Sequence, residues 1–158
     1  MGENHSTKNL ILSYGDLLFD LCESVLWNPL QAQATCRAIL SKLSYRIKFQ
    51  KYKQYERSWI LKIACQKLLH QAQYYGHLIT PEKSMKRDKT ESVSGRLENF
   101  NAYFHRLSAK DQILLILKDK YDIPYTEIAA ALSIPAGSLK VRRQQALKTL
   151  EEWLWNNR

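Results

Sequence analysis

The sequence contains no apolar run of membrane-spanning length. Its first residues, "MGENHSTKNLILSY", lack the basic start, apolar core and small-residue cleavage site of a signal peptide. A cytoplasmic location is the expectation. Cysteine is scarce: Cys22, Cys36 and Cys65 are odd in number, far apart and set among apolar residues at helical spacing, which favours buried thiols over disulfides or metal ligands. His70 and His77 have no cysteine or carboxylate around them in a metal-binding pattern. Asp16, Asp20 and Glu23 share a helix face without a histidine at ligand spacing, so they read as a solvated acidic stripe or a protein contact. A glycine-rich phosphate loop, a nucleophile elbow and a zinc-hydrolase helix are all missing. These absences weigh against an enzyme, and no cofactor, metal site or small-molecule substrate is expected. Acid is also in short supply, with 15 Asp and Glu against 24 Lys and Arg and a net charge of +9. That balance favours an anionic partner: nucleic acid, an acidic protein surface or an anionic membrane face.

What the 158 residues do contain is helical pattern, with little strand alternation and no internal repeat, so the expected class is all-α. Leu10, Tyr14, Leu17, Leu18, Leu21, Cys22 and Val25 form one broad apolar stripe. At "WNP", Asn28 can cap orphan backbone amides and Pro29 suits a first helical turn, where its missing donor costs nothing. A second helix then places Cys36, Ile39, Leu40 and Leu43 inward. A third, carrying Trp59, Ile60, Ile63, Ala64, Leu68 and Leu69, runs to about Tyr75. Residues 8–75 thus read as one small helical domain.

Residues 76–97 change character, with few large apolar groups and Gly, Pro and Ser punctuation, and read as a flexible linker. A second domain, 98–156, starts with a helix expected to bury Phe100, Tyr103, Phe104 and Leu107. Ser108 stands at capping-box spacing from Asp111, opening the next helix. In "YTEIAAALSIPAGSLKVRRQQAL", Ile128, Ala129 and Leu132 line a short helix and "SIP" turns the chain. Gly137 is expected to permit a close backbone approach at the start of a second helix, giving a helix-turn-helix. The second helix presents Ser138, Lys140, Val141, Arg142, Gln144 and Gln145 away from Leu139, Ala146, Leu147 and Leu150. Hydroxyl, amide and cationic groups near a helix start suit base edges and phosphates.

In the first half, the stretch from Arg37 to Lys67 holds nine basic residues against the single acid Glu56. Within it, "YRIKFQKYKQYERSW" interleaves aromatics with cations. Lys48, Lys51 and Lys53 can neutralise phosphates, while Phe49, Tyr52 and Tyr55 offer faces for unpaired bases.

Residues 107–154 resemble the promoter-reading region 4 of bacterial sigma factors of the extracytoplasmic-function type. Leu107, Leu114, Leu117, Tyr125, Glu127, Ile128, Ala129, Leu132, Ile134, Pro135, Gly137, Lys140, Arg142, Ala146 and Leu150 fall in step with that pattern. The first half is similar to region 2 of the same family, whose closing helix has a signature matched by Trp59, Ile60, Ile63 and Ala64. The resemblance implies two small helical domains, a region 2-like bundle and a region 4-like helix-turn-helix, joined by the linker. It implies that region 2 binds the beta-prime clamp helices of bacterial RNA polymerase core and captures an unpaired base of the −10 element. Region 4 would dock on the beta flap and lay its second helix in the major groove of the −35 element of promoter DNA. It leaves room for an anti-sigma factor or helper protein, and none for a membrane partner. Two other readings stand beside it: a stand-alone helix-turn-helix regulator, and a sigma-like interaction protein that does not itself initiate.

The chain departs from the family pattern at particular positions. The second helix has no carboxylate between Pro29 and Arg37, where the family carries an acidic stretch facing the polymerase. Ser133 occupies the turn usually given to glycine, which is costly if the turn needs a positive φ. Arg143 stands at an apolar position and is expected to snorkel outward, with Leu147, one turn on, taking over the packing.

Overall fold

The computed structural model describes residues 2–47, 55–75 and 93–156. Among the described residues seven α-helices follow in order: α1 (Gly2–Leu26), α2 (Pro29–Arg46), α3 (Glu56–Tyr75), α4 (Val93–Arg106), α5 (Ala109–Leu115), α6 (Tyr125–Leu132) and α7 (Ala136–Asn156). A π-helical turn, Ile116–Lys120, continues α5. No strand occurs among the described residues.

Local chemistry sets the helix ends. Trp27 closes α1 with a φ of 47°, its N–H donating to the Glu23 carbonyl at 3.1 Å. Asn28 then accepts from the Leu30 and Gln31 amides at 3.0 and 3.1 Å, with Pro29 in the first turn of α2. Ser108 caps α5 in the same way, its hydroxyl accepting from the Asp111 N–H at 3.2 Å. Each cap satisfies donors that the first turn of a helix leaves open.

The two helical groups pack on one another around a shared core. Leu18, Leu21, Ile39, Leu43, Ile60, Leu61 and Leu68 of α1–α3 are fully buried, and so are Ile113, Leu114, Leu117, Ile128 and Leu132 of the second group, all in one contiguous cluster. Each such side chain contributes about 1.5–3 kcal/mol by leaving water. A smaller cluster of Tyr103, Leu107, Leu115, Ala146 and Leu150 joins α4, α5 and α7. The three cysteines are buried free thiols. The neighbouring Cys22 and Cys36 thiols act on one another, which raises the pKa of Cys22 and lowers that of Cys36, while burial pushes Cys65 up to about 12.

Polar contacts tie the groups together at specific points. Buried Gln112 of α5 donates to the carbonyls of Leu107 at 2.9 Å and His105 at 3.2 Å, and accepts from Ser24 of α1 at 3.0 Å. The His105 ring stacks on Trp27 with centroids 4.2 Å apart. Arg57 of α3 makes a two-pronged pair with Glu127 of α6, at 2.8 and 3.0 Å. Asp20, read from sequence as part of an acidic stripe either solvated or in a protein contact, accepts from Lys120 at 2.6 Å and from the Tyr121 hydroxyl. Burial first, and the Asp20 carboxylate second, push the Tyr121 phenol up.

Two expectations about packing are corrected. Phe100 is 41% exposed, because the α4 face that carries it meets a groove. Leu147 is 39% exposed and lines the same groove, so it does not take over the packing left by Arg143.

Candidate nucleic-acid interface

The short helix α6 ends because Ser133 enters the left-handed region, φ 56° and ψ 41°, its N–H still donating to the Ala129 carbonyl. The Ile134 N–H bonds the same carbonyl at 3.2 Å, and the Ser138 N–H bonds the Pro135 carbonyl at 3.0 Å, starting α7. A tight turn thus joins the two helices, with a serine in the conformation that usually falls to glycine. Gly137 does not serve a close approach within the chain, since a Cβ added there would meet nothing within 4 Å. It lies on the open side of α7.

Three buried side chains, Leu139, Ala146 and Leu150, hold α7 to the domain. At 3.6 residues per turn, the pole opposite them carries Gly137, Val141 and Lys148, flanked by Ser138, Gln144 and Gln145. All six are exposed, Val141 to 54%. Lys148 joins this face although sequence reading did not single it out; its helical spacing from Val141 and Gln145 is the signal that places it there.

The two arginines of α7 point elsewhere. Arg142 Nε donates to Asp111 Oδ1 at 2.5 Å and a second nitrogen reaches Ser108 Oγ at 3.4 Å. Arg143 forks onto Asp119, with Nε contacts of 3.0 and 3.2 Å and a further contact through Nη2. That carboxylate holds the Arg143 guanidinium above its ordinary pKa. The outward turn expected of Arg143 is thus present, with an acid to receive it. Asp111 comes from the first turn of α5 and Asp119 from the π-helical turn, whose Tyr121 N–H to Ile116 carbonyl bond of 3.3 Å spans one residue more than an α-helix allows. Lys140 is exposed, its ammonium 6.0 Å from the centroid of the Tyr125 ring, which Lys118 also approaches at 4.8 Å.

Of the sequence-predicted duplex-reading set, Ser138, Val141, Gln144 and Gln145 share one open face. Lys140 lies at its edge, and Arg142 is braced against Asp111. Of the basic and aromatic segment, Lys48, Phe49, Lys51, Tyr52 and Lys53 lie outside the described residues; Tyr55 is 58% exposed just before α3.

A second surface of the same domain went unnoticed in the sequence. An apolar groove of about 790 Å³ runs between α4, the π-helical turn and the C-terminal half of α7, lined by Phe100, Phe104, Ile116, Leu147 and Leu154 among others. Its α7 residues centre on a different side of the helix from Val141 and Gln145, with Gln144 between the two. Among the described residues, no group of three or more His, Cys, Asp or Glu side chains is placed to hold a metal ion, and no helix is long and apolar enough to cross a membrane.

No protein-family model and no curated protein matches the sequence. Among solved structures, the chain is similar to the sigma factor RpoE of Bartonella quintana in its co-crystal with the anti-sigma factor NepR. The TM-score is 0.73 at 19% identity, over 96% of this chain and 98% of that one. The chain has the all-helical fold of that sigma factor along nearly its whole length.

Proposed function

We propose that this chain is a transcription initiation factor that binds bacterial RNA polymerase core and directs it to specific promoters. One observation carries the reading. In a chain with a sigma-factor fold, the second helix of a helix-turn-helix offers an open face of Ser138, Val141, Gln144, Gln145 and Lys148, while its arginines are anchored to the domain behind it. Such a helix suits the major groove of a −35 element, where side-chain amides, hydroxyls and methyls read base edges. Lys140, at the edge of the face, suits a backbone phosphate.

The remaining partners follow from charge and apolar surface. Lys48, Lys51 and Lys53, with Phe49, Tyr52 and Tyr55, supply the phosphate neutralisation and stacking faces that an opened −10 strand needs. The groove beside α7 is an apolar seat of the kind a helix of the beta flap would fill. The clamp helices of beta-prime fall to the α1–α3 group. RpoE was crystallised with an anti-sigma factor, which supports a partner of that class for this chain too.

The test is reconstitution. The full chain is mixed with bacterial core polymerase, run on a sizing column at moderate salt, and then supplied with genomic DNA fragments for run-off transcription. Co-elution and discrete transcripts that require the chain are the expected result. Co-elution without transcripts would mark an interaction protein that does not initiate. Tight duplex binding without any association with core would mark a stand-alone regulator.

A further inference from the structure

We infer that the promoter-reading helix selects A·T base pairs, with Gln144 and Gln145 reading adenine and Val141 packing on a thymine methyl; this rests on the proposed −35 role of α7. The argument begins with what α7 withholds. Guanine is most often read by an arginine or lysine that bonds its O6 and N7 together. Both arginines of α7 face the chain's own acids, Arg142 on Asp111 and Arg143 forked onto Asp119. Lys140 leans toward the Tyr125 ring at the edge of the open face. Lys148 lies on that face but about 18 Å along the helix from its start, at 1.5 Å per residue, where a groove-bound helix leaves the bases and runs past the backbone.

Apart from Lys148, what the open face retains is neutral. Gln144 and Gln145 are adjacent and exposed, and neither side chain bonds to another described residue. Each amide sets an NH2 donor beside a carbonyl acceptor, which complements the N7 acceptor and N6 donor of adenine. Val141, one turn before Gln145, is 54% exposed and presents methyl groups with no polar atom, a surface suited to the thymine methyl and to no other base edge in the major groove. Gly137, with open space at its Cβ position, adds nothing that would hold the helix away from the groove. A neutral reading face flanked by lysines separates the two tasks: cations for the backbone, amides and a methyl for the sequence.

The experiment is selection from a random duplex library by the full chain, alone and with core polymerase. Expected is a site with adjacent A·T pairs. Gln144→Ala and Gln145→Ala should each relax one adenine, with a loss of discrimination of about 5- to 150-fold at that position. Gln144→Arg should change its position from adenine to guanine, a gain that misfolding does not produce. Asp111→Asn frees Arg142 and should add a guanine preference absent from the parent. A selected site dominated by G·C pairs that survives both glutamine substitutions overturns the inference while leaving the −35 role standing. Selection of no site under either condition overturns the −35 role and the inference with it.

Discussion

His105 lies against Trp27 with the two rings 17° from parallel, at the seam between the two helical groups. Burial holds its imidazole below the ordinary value of 6.5, and its interactions with the Ser24 backbone and the Gln112 side chain oppose that shift more weakly. The unfolded chain therefore takes up the proton first as pH falls. Stability is full above about 6.5 and declines as pH drops through that value toward the lower folded pKa. His105→Phe keeps a flat ring on Trp27 and removes the titration. Across thermal melts from about pH 7.5 to about pH 5, the parent should lose stability relative to this variant. A constant difference between them would remove His105 from the acid response. Residues of this kind were hidden in the sequence for a simple reason. Asn28 and Ser108 were legible as caps because the amides that donate to them lie two or three positions away. Ser24 and Gln112 are 88 positions apart, and Asp20 and Tyr121 are 101 apart, so no local rule pairs them.

At the scale of elements, α6, its turn and α7 were readable because each part has its own signal: an apolar face on α6, a proline after the turn and a polar face on α7. Ser133 is the strained point. Its φ of 56° costs a non-glycine residue about 1–2 kcal/mol, so Ser133→Gly should relieve the turn. The gain is reduced by the greater freedom of glycine in the unfolded chain, leaving a net stabilisation of about 0.5–1 kcal/mol. A rise in the urea midpoint at unchanged slope would confirm it; a fall would show that the serine side chain itself holds the turn. Periodicity was a weaker guide to what each apolar face meets. It marked Phe100 and Leu147 as apolar face residues correctly, but a groove and a core look alike in a sequence, and these two line the groove. Lys148 was overlooked for the opposite reason, since attention to the start of α7 stops before its fourth turn.

For the whole molecule, each amphipathic stripe fixes that a helix will be covered without fixing by which neighbour. The stripes of α3 and α6 could each have been satisfied inside their own group; in the structure they meet each other within the large core cluster. Ion pairs do not account for this joining. The Arg57 side chain is 43% exposed and that of Lys120 61%, and pairs so open to water contribute about 0–1 kcal/mol each. The buried apolar surface carries the energy, and that gives the arrangement a thermodynamic signature. Ile128 of α6 is fully buried in the shared cluster, and Ile128→Ala should cost about 2–5 kcal/mol, a large part of the 5–15 kcal/mol that stabilises a typical domain. If both groups draw on one core, that loss is shared. Amide hydrogen exchange should then accelerate in α1 and α3 as well as in α6 and α7, and thermal unfolding should remain a single transition at a lower midpoint. Faster exchange confined to α6 and α7, or a transition that splits in two, would mean that each group is stable on its own and that the seam between them contributes little.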